Sequence, residues 1–120
     1  TNAVEAKDVV GEVEGRVCVL IDDMIDTGGT LVAAAEQLAE RGARAVYAAA
    51  THGVLSGPAI ERINASVLEK VVITNTLPLP IEKQSPKIEV LSAAGIIADA
   101  IDAVFEDTSV SEIFDGQNQH

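Results

Sequence analysis

Between positions 22 and 30 three carboxylates and two hydroxyls surround a pair of glycines: Asp22, Asp23, Asp26, Thr27, Gly28, Gly29 and Thr30. Glycines let a backbone approach a phosphate closely, and N–H groups at the start of a helix point toward an anion. The Thr27 and Thr30 hydroxyls add donors that cost little to orient. Asp22, Asp23 and Asp26 would repel a bare phosphate, so they serve a different group. Carboxylates accept hydrogen bonds from vicinal hydroxyls and also bind Mg²⁺. One ligand satisfies both halves: a sugar whose hydroxyls meet the carboxylates while its phosphate rests in the turn. Ribose 5-phosphate has that geometry. Capping a helix would need one such residue, and the cluster holds five around two glycines. A Walker lysine and a G-x-G-x-x-G pattern are both missing, which sets other phosphate motifs aside.

The elements around this cluster read as alternating strands and helices. Val17 to Ile21 is a continuous apolar run, as expected of a strand buried on both faces. Leu31, Ala34, Ala35 and Leu38 recur at helical spacing over Thr30 to Arg41, and Gly42 ends that helix. Ala45 to Ala50 is a second strand, stopped at Thr51-His52-Gly53. Pro58 opens a second helix whose inner face holds Ile60 and Ile63, and Lys70 to Thr74 is a third strand. Leu77 to Pro86 carries three of the four prolines and reads as a loop. Ile88 to Leu91 is a fourth strand. Ser92 to Phe105 is a last helix, with Ile96, Ile97, Ala100, Ile101 and Val104 on one side. The order predicts an α/β fold with a doubly wound, mostly parallel sheet. Ligands of such sheets sit at the carboxyl ends of strands, here Asp22 to Thr30, Thr51 to Ser56 and Asn75 to Pro80.

Composition sets outer bounds. A chain of 120 residues buries about two-thirds of its unfolded surface, enough for a modest core. Aromatics make up 2% against 48% hydrophobic residues, so aliphatic side chains must fill the interior. The net charge of −11 argues against nucleic acid and anionic lipid as partners, and suggests that a phosphorylated ligand arrives with Mg²⁺. The single Cys18 excludes an internal disulfide and reads as a structural thiol. With no apolar run of ~18 residues and no signal peptide, the expectation is a cytoplasmic protein without a membrane span. The chain starts at Thr1 and not at Met, as a fragment would.

Lesser candidates carry bland readings. His52 closes the second strand and reads as a hydrogen-bonded structural histidine, with pocket lining as the alternative. Asn75 and Thr76 fit pocket lining and turn stabilisation equally. Glu36, Glu40, Arg41 and Arg44 form a solvated helix face, and His120 is terminal.

Val17 to Thr30 resembles the phosphoribosyl-diphosphate binding motif shared by type I phosphoribosyltransferases and ribose-phosphate pyrophosphokinases. The stretches Ala49 to Pro58, Val72 to Pro78 and Lys87 to Ser92 resemble the pyrophosphokinases in particular, and Ser109 to Phe114 resembles their C-terminus. The likeness covers nearly everything from Gly11 onward. It implies the C-terminal part of such an enzyme: an arm at 1–16, an incomplete type I phosphoribosyltransferase-like domain at 17–107, and a tail at 108–120. It also implies that Asp22 contacts ribose 5-phosphate, that Asp26 to Thr30 form its phosphate loop, and that Asp23 neighbours a hydroxyl or Mg²⁺. Ser109, Ser111 and Phe114 resemble part of an allosteric phosphate or ADP site formed between subunits of a hexamer.

The reaction so implied moves a diphosphoryl group from MgATP to the anomeric hydroxyl of ribose 5-phosphate, yielding phosphoribosyl diphosphate for nucleotide biosynthesis. Such transfer depends on positioning and on charge stabilisation by cations, with Mg²⁺ as cofactor. The family's ATP-binding half, its metal-binding His and Asp, and its Lys-Arg loop have no counterpart here. No catalytic residue and no metal ligand is therefore expected within the chain, which alone should be inactive. Two alternatives share the motif. A type I phosphoribosyltransferase would need a hood over its base and a closing loop, and a non-catalytic regulatory homologue would keep only the fold.

Overall fold

The structure is a computed structural model that describes residues 11–106. Four parallel strands lie in the order β1-β2-β3-β4: β1 at Val17–Ile25, β2 at Ala45–Gly53, β3 at Leu68–Thr74 and β4 at Ile88–Leu91. Helix α1 (Gly29–Glu40) joins the first pair, α2 (Ala59–Asn64) joins the second, and α3 (Ala93–Phe105) follows the last strand. The α/β class and the parallel sheet are thus as the alternation of patterns predicts. The loop between β3 and β4 holds one 3-10 turn at Ile81–Lys83.

Strands β1 and β2 run further than their apolar cores. Pairing continues from Val17↔Ala45 through Asp22↔Ala50 to Ile25↔Gly53, so Asp22 and Asp23 lie inside β1, not after it. Backbone ladders do not need apolar side chains, and both carboxylates stay exposed. Successive strand residues point to opposite faces, which separates the two. Asp22 continues the row of Cys18 and Leu20, which pack against the core. Asp23 continues the row of Val17, Val19 and Ile21.

Helices α1 and α2 cover one face. There Ala35 and Leu38 of α1 and Ala59 and Ile63 of α2 meet Val46, Ala48 and Ala50 of β2 and Leu68, Val71 and Ile73 of β3. Each such aliphatic side chain, fully buried, contributes about 1.5–3 kcal/mol for the larger types. Val13, read from sequence as part of an arm, joins this core at 8% exposure, and the Gly15 N–H donates to the Gly42 carbonyl at 2.8 Å. Gly42, at φ 93°, ends α1: its N–H bonds the Ala39 carbonyl while the Ala43 N–H reaches Leu38. That pair is a Schellman cap, and it fixes the entry to β2.

The second face corrects an expectation. Val17, Val19 and Ile21 are 46%, 55% and 76% exposed, so β1 is covered on one side only among the described residues. The predicted apolar side of α3 is likewise open: Ile97, Ile101, Val104 and Phe105 are exposed, and Ala103 is the helix's buried residue. A hydrophobic run predicts that something will cover it, and the described residues place no element over either surface.

Candidate phosphate-binding turn and its supports

The turn that opens α1 is built by backbone geometry. Gly28 occupies the N-cap position in the left-handed region (φ 79°, ψ −4°), a conformation that costs a side-chain-bearing residue roughly 1–2 kcal/mol. A Cβ there would also stand 3.5 Å from the Ala59 Cα. The first helical bond runs from the Val32 N–H to the Gly28 carbonyl at 3.0 Å, and no side chain caps the helix start. The capping explanation for the Asp and Thr residues therefore fails. The first-turn N–H groups of a 12-residue helix face outward with no acidic residue in that turn. Such an end favours an anion through both the N–H groups and the helix dipole.

A hollow of about 210 Å³ lies against this turn, lined by Asp22, Met24, Ile25, Asp26, Thr27, Gly28, Thr30 and Leu31. Five of the seven residues singled out from the sequence meet there. Asp23 falls outside it, on the other face of β1, and its N–H donates to Asp22 Oδ1 at 2.8 Å. That bond orients the Asp22 carboxylate. Gly29 also lies outside the lining, facing Arg62 instead: a Cβ on Gly29 would stand 3.1 Å from Arg62 Nη1. Asp22 further borders a second hollow of about 220 Å³ over the ends of β2 and β3, with Ile21, Ala49, Thr51, Val72 and Thr74 among its walls. A third, open hollow of about 520 Å³ lies at Gly11 to Glu14 and Arg41, by the amino end of β1. Two glutamates there make it a poor host for an anion.

The β2–α2 connection buttresses the turn from beneath. The Val54 and Leu55 N–H groups donate to the Ile25 carbonyl at 3.0 and 3.1 Å, and the Ser56 N–H donates to the Asp26 carbonyl at 2.9 Å. Lys83 Nζ in turn holds the Val54 carbonyl at 3.3 Å, tying the proline-rich loop to the same segment. From α2, Arg62 Nη1 donates to the Thr27 carbonyl at 3.2 Å. Neither Arg62 nor Lys83 forms part of a local sequence pattern, because their partners lie 35 and 29 positions away.

At the neighbouring strand ends, His52 Nδ1 lies 2.8 Å from Thr76 Oγ1. The Thr74 hydroxyl donates to the Thr51 carbonyl at 2.6 Å. Asn75 Oδ1 accepts the Ala93 N–H at 2.7 Å, joining the β3 exit to the start of α3. His52, Asn75 and Thr76 thus stitch strand ends together. Among the described residues no group of three His, Cys, Asp or Glu side chains comes together in a way that would hold a metal ion. Ser109, Ser111 and Phe114, the residues of the expected allosteric site, lie outside the described residues.

Residues 4–115 match the sequence model of the phosphoribosyl synthetase-associated domain. The chain belongs to this family. Curated relatives of this phosphoribosyl synthetase-associated domain include the ribose-phosphate pyrophosphokinase of Streptomyces avermitilis, 56% identical over 116 residues, which cover 97% of this chain and 36% of that protein. Another is the ribose-phosphate pyrophosphokinase of Caldanaerobacter subterraneus, 53% identical over 113 residues, with 94% and 36% covered. Among solved structures, phosphoribosylpyrophosphate synthetase from Mycobacterium smegmatis superposes with a TM-score of 0.72 at 51% identity, covering 82% of this chain and 33% of that one. The chain therefore spans about a third of the length of the relatives it matches. That overlap is one of extent and does not place the chain at their C-terminal end. No helix among the described residues is long and apolar enough to cross a membrane.

Proposed function

We propose that this chain is the sugar-phosphate-binding part of a ribose-phosphate pyrophosphokinase, the enzyme class named by its relatives. The observation that carries this reading is the uncapped start of α1 at Gly28, opening on a hollow that Asp22 and Asp26 also line. In this reading the N–H groups of the turn and the Thr27 and Thr30 hydroxyls hold the 5-phosphate. Asp22 accepts from ribose hydroxyls, held in place by the Asp23 N–H, and Asp26 flanks the phosphate loop. Held at its phosphate and ring hydroxyls, the sugar would keep its anomeric hydroxyl free for the diphosphate donor. Orienting the acceptor in this way removes part of the entropic barrier to transfer.

The donor in the parent reaction is MgATP. In this reading Mg²⁺ enters with the nucleotide, whose phosphates it shields from the acidic surface. No side chain of this chain is assigned to the transfer itself, and the isolated chain is expected to make no phosphoribosyl diphosphate. The same turn would serve a type I phosphoribosyltransferase. Kinship with ribose-phosphate pyrophosphokinases favours that enzyme over both a phosphoribosyltransferase and a non-catalytic homologue. Cytoplasmic location and hexameric assembly belong to the same proposal.

The two halves of the site can be separated by substitution. Asp22→Ala removes the hydroxyl acceptor and should weaken ribose 5-phosphate binding in the full-length protein about 10- to 100-fold, as for a lost hydrogen bond to a charged group. Gly28→Trp blocks the turn and should abolish binding. Unchanged calorimetric affinity in both variants would contradict the assignment.

A further inference from the structure

We infer that Arg62 is a positioning residue for the anion turn, acting through the Thr27–Gly28 peptide. Arg62 lies on the second turn of α2, 35 positions from Thr27 in sequence, and its Nη1 donates to the Thr27 carbonyl at 3.2 Å. The Thr27–Gly28 peptide is trans. In a planar trans peptide the carbonyl and the following N–H point in opposite directions. Holding the Thr27 carbonyl toward α2 therefore aims the Gly28 N–H away from α2. The hollow that carries the proposed phosphate site lies on that side: its lining comes from β1, the turn and α1, with nothing from α2.

Two further contacts make the arrangement specific. Gly28 sits over Ala59 at the start of α2, with 3.5 Å between a built Cβ and the Ala59 Cα, so the turn rests on the helix that carries Arg62. Gly29 leaves space that the guanidinium fills, since a Cβ there would come within 3.1 Å of Nη1. Gly29, unlike Gly28, does not have a positive φ. With no Cβ at Gly29 the guanidinium can lie close to the turn; an added Cβ would press Nη1, the far end of a flexible side chain, aside by a few tenths of an ångström. A bond from a guanidinium to a carbonyl is charge-assisted and stronger than a neutral one. It also polarises the peptide so that the Gly28 N–H becomes a better donor to an anion. In a chain of net charge −11, with three Asp near the turn, that cation offsets local repulsion of a phosphate.

The inference rests on the proposed ribose 5-phosphate site, and it is tested with a double-mutant cycle in the full-length protein. Affinities are measured by calorimetry for ribose 5-phosphate, and for inorganic phosphate by competition against it. Arg62→Gln should weaken ribose 5-phosphate about tenfold, and Gly29→Ala, which only presses the guanidinium aside, should weaken it less. The double variant should be little worse than Arg62→Gln alone, a non-additivity that marks a shared interaction. Arg62→Gln should weaken inorganic phosphate by the same factor as the sugar phosphate, whereas Asp22→Asn should weaken only the sugar phosphate. Arg62→Lys should recover part of the loss. A purely structural role for Arg62 would lower the melting temperature without this phosphate-specific pattern. Equal affinity in Arg62→Gln and the wild type, or additive effects in the double variant, would overturn the inference. If Arg62→Gln fails to fold, Arg62→Met, which keeps the aliphatic stem and removes the donor, decides, and wild-type affinity there overturns it. A wild-type protein that binds no ribose 5-phosphate would overturn the function proposed above together with this inference.

Discussion

Gly53 and Ile73 are packed so closely that a Cβ on Gly53 would stand 2.5 Å from Ile73 Cδ1 and 3.2 Å from its Cγ2. Ile73 is 1% exposed and branched at Cβ, so its methyl groups cannot both withdraw. Gly53 is also the last residue of β2, paired with Ile25, immediately before the segment that supports the glycine turn. Gly53→Ala should destabilise the fold by about 1–3 kcal/mol, the usual cost of overpacking. Thermal unfolding measures the loss, and adding Ile73→Val should return part of it.

The Asn75 side chain accepts the Ala93 N–H at the start of α3. That N–H is one of the donors a helix leaves without a partner in its own backbone. Asn75→Ala should cost about 0.5–2 kcal/mol, in the range of a lost helix-start cap. Chemical denaturation checks the size, and Asn75→Asp, which keeps the acceptor, should lose much less.

The exposed row Val17, Val19 and Ile21 predicts a property of the isolated 120-residue chain. Contiguous apolar surface binds hydrophobic dyes and promotes association. The chain should enhance the fluorescence of anilinonaphthalene sulfonate, and Val19→Thr combined with Ile21→Thr should reduce the signal. Threonine keeps the β-branching that suits a strand, so the fold should survive. The open side of α3 binds dye as well, so the expected loss is partial, and an unchanged signal would contradict dye binding at this row.

Much of this arrangement was legible in the sequence, because local physics wrote it there. The helical spacing of Leu31, Ala35 and Leu38 and the stop at Gly42 mark α1 to within a residue or two, and the apolar spacing after Ser92 marks α3. The glycine turn was visible because Gly28-Gly29 between two threonines has few other uses. The extension of β1 beyond Ile21 was not visible, since Asp22 and Asp23 are poor strand formers. They are carried into the sheet by pairing with Ala50 and its neighbours. Burial on both faces of β1 was expected from an apolar run that holds no information about which element will cover it. No local pattern marks Arg62, because its contact depends on a fold that brings α2 under a turn 35 residues earlier. Of the three carboxylates, only the alternation of strand faces told Asp22 from Asp23, and that needed the true end of the strand.

The central claim, that Asp22 and Asp26 to Thr30 receive a sugar phosphate, is tested most directly by calorimetric titration of the full-length wild-type protein with ribose 5-phosphate, ribose and inorganic phosphate. Ribose 5-phosphate should bind more tightly than either piece by at least tenfold, and Gly28→Trp should remove the heat. Ribose 5-phosphate binding with undiminished affinity to Gly28→Trp, or no better than inorganic phosphate to the wild type, would contradict it.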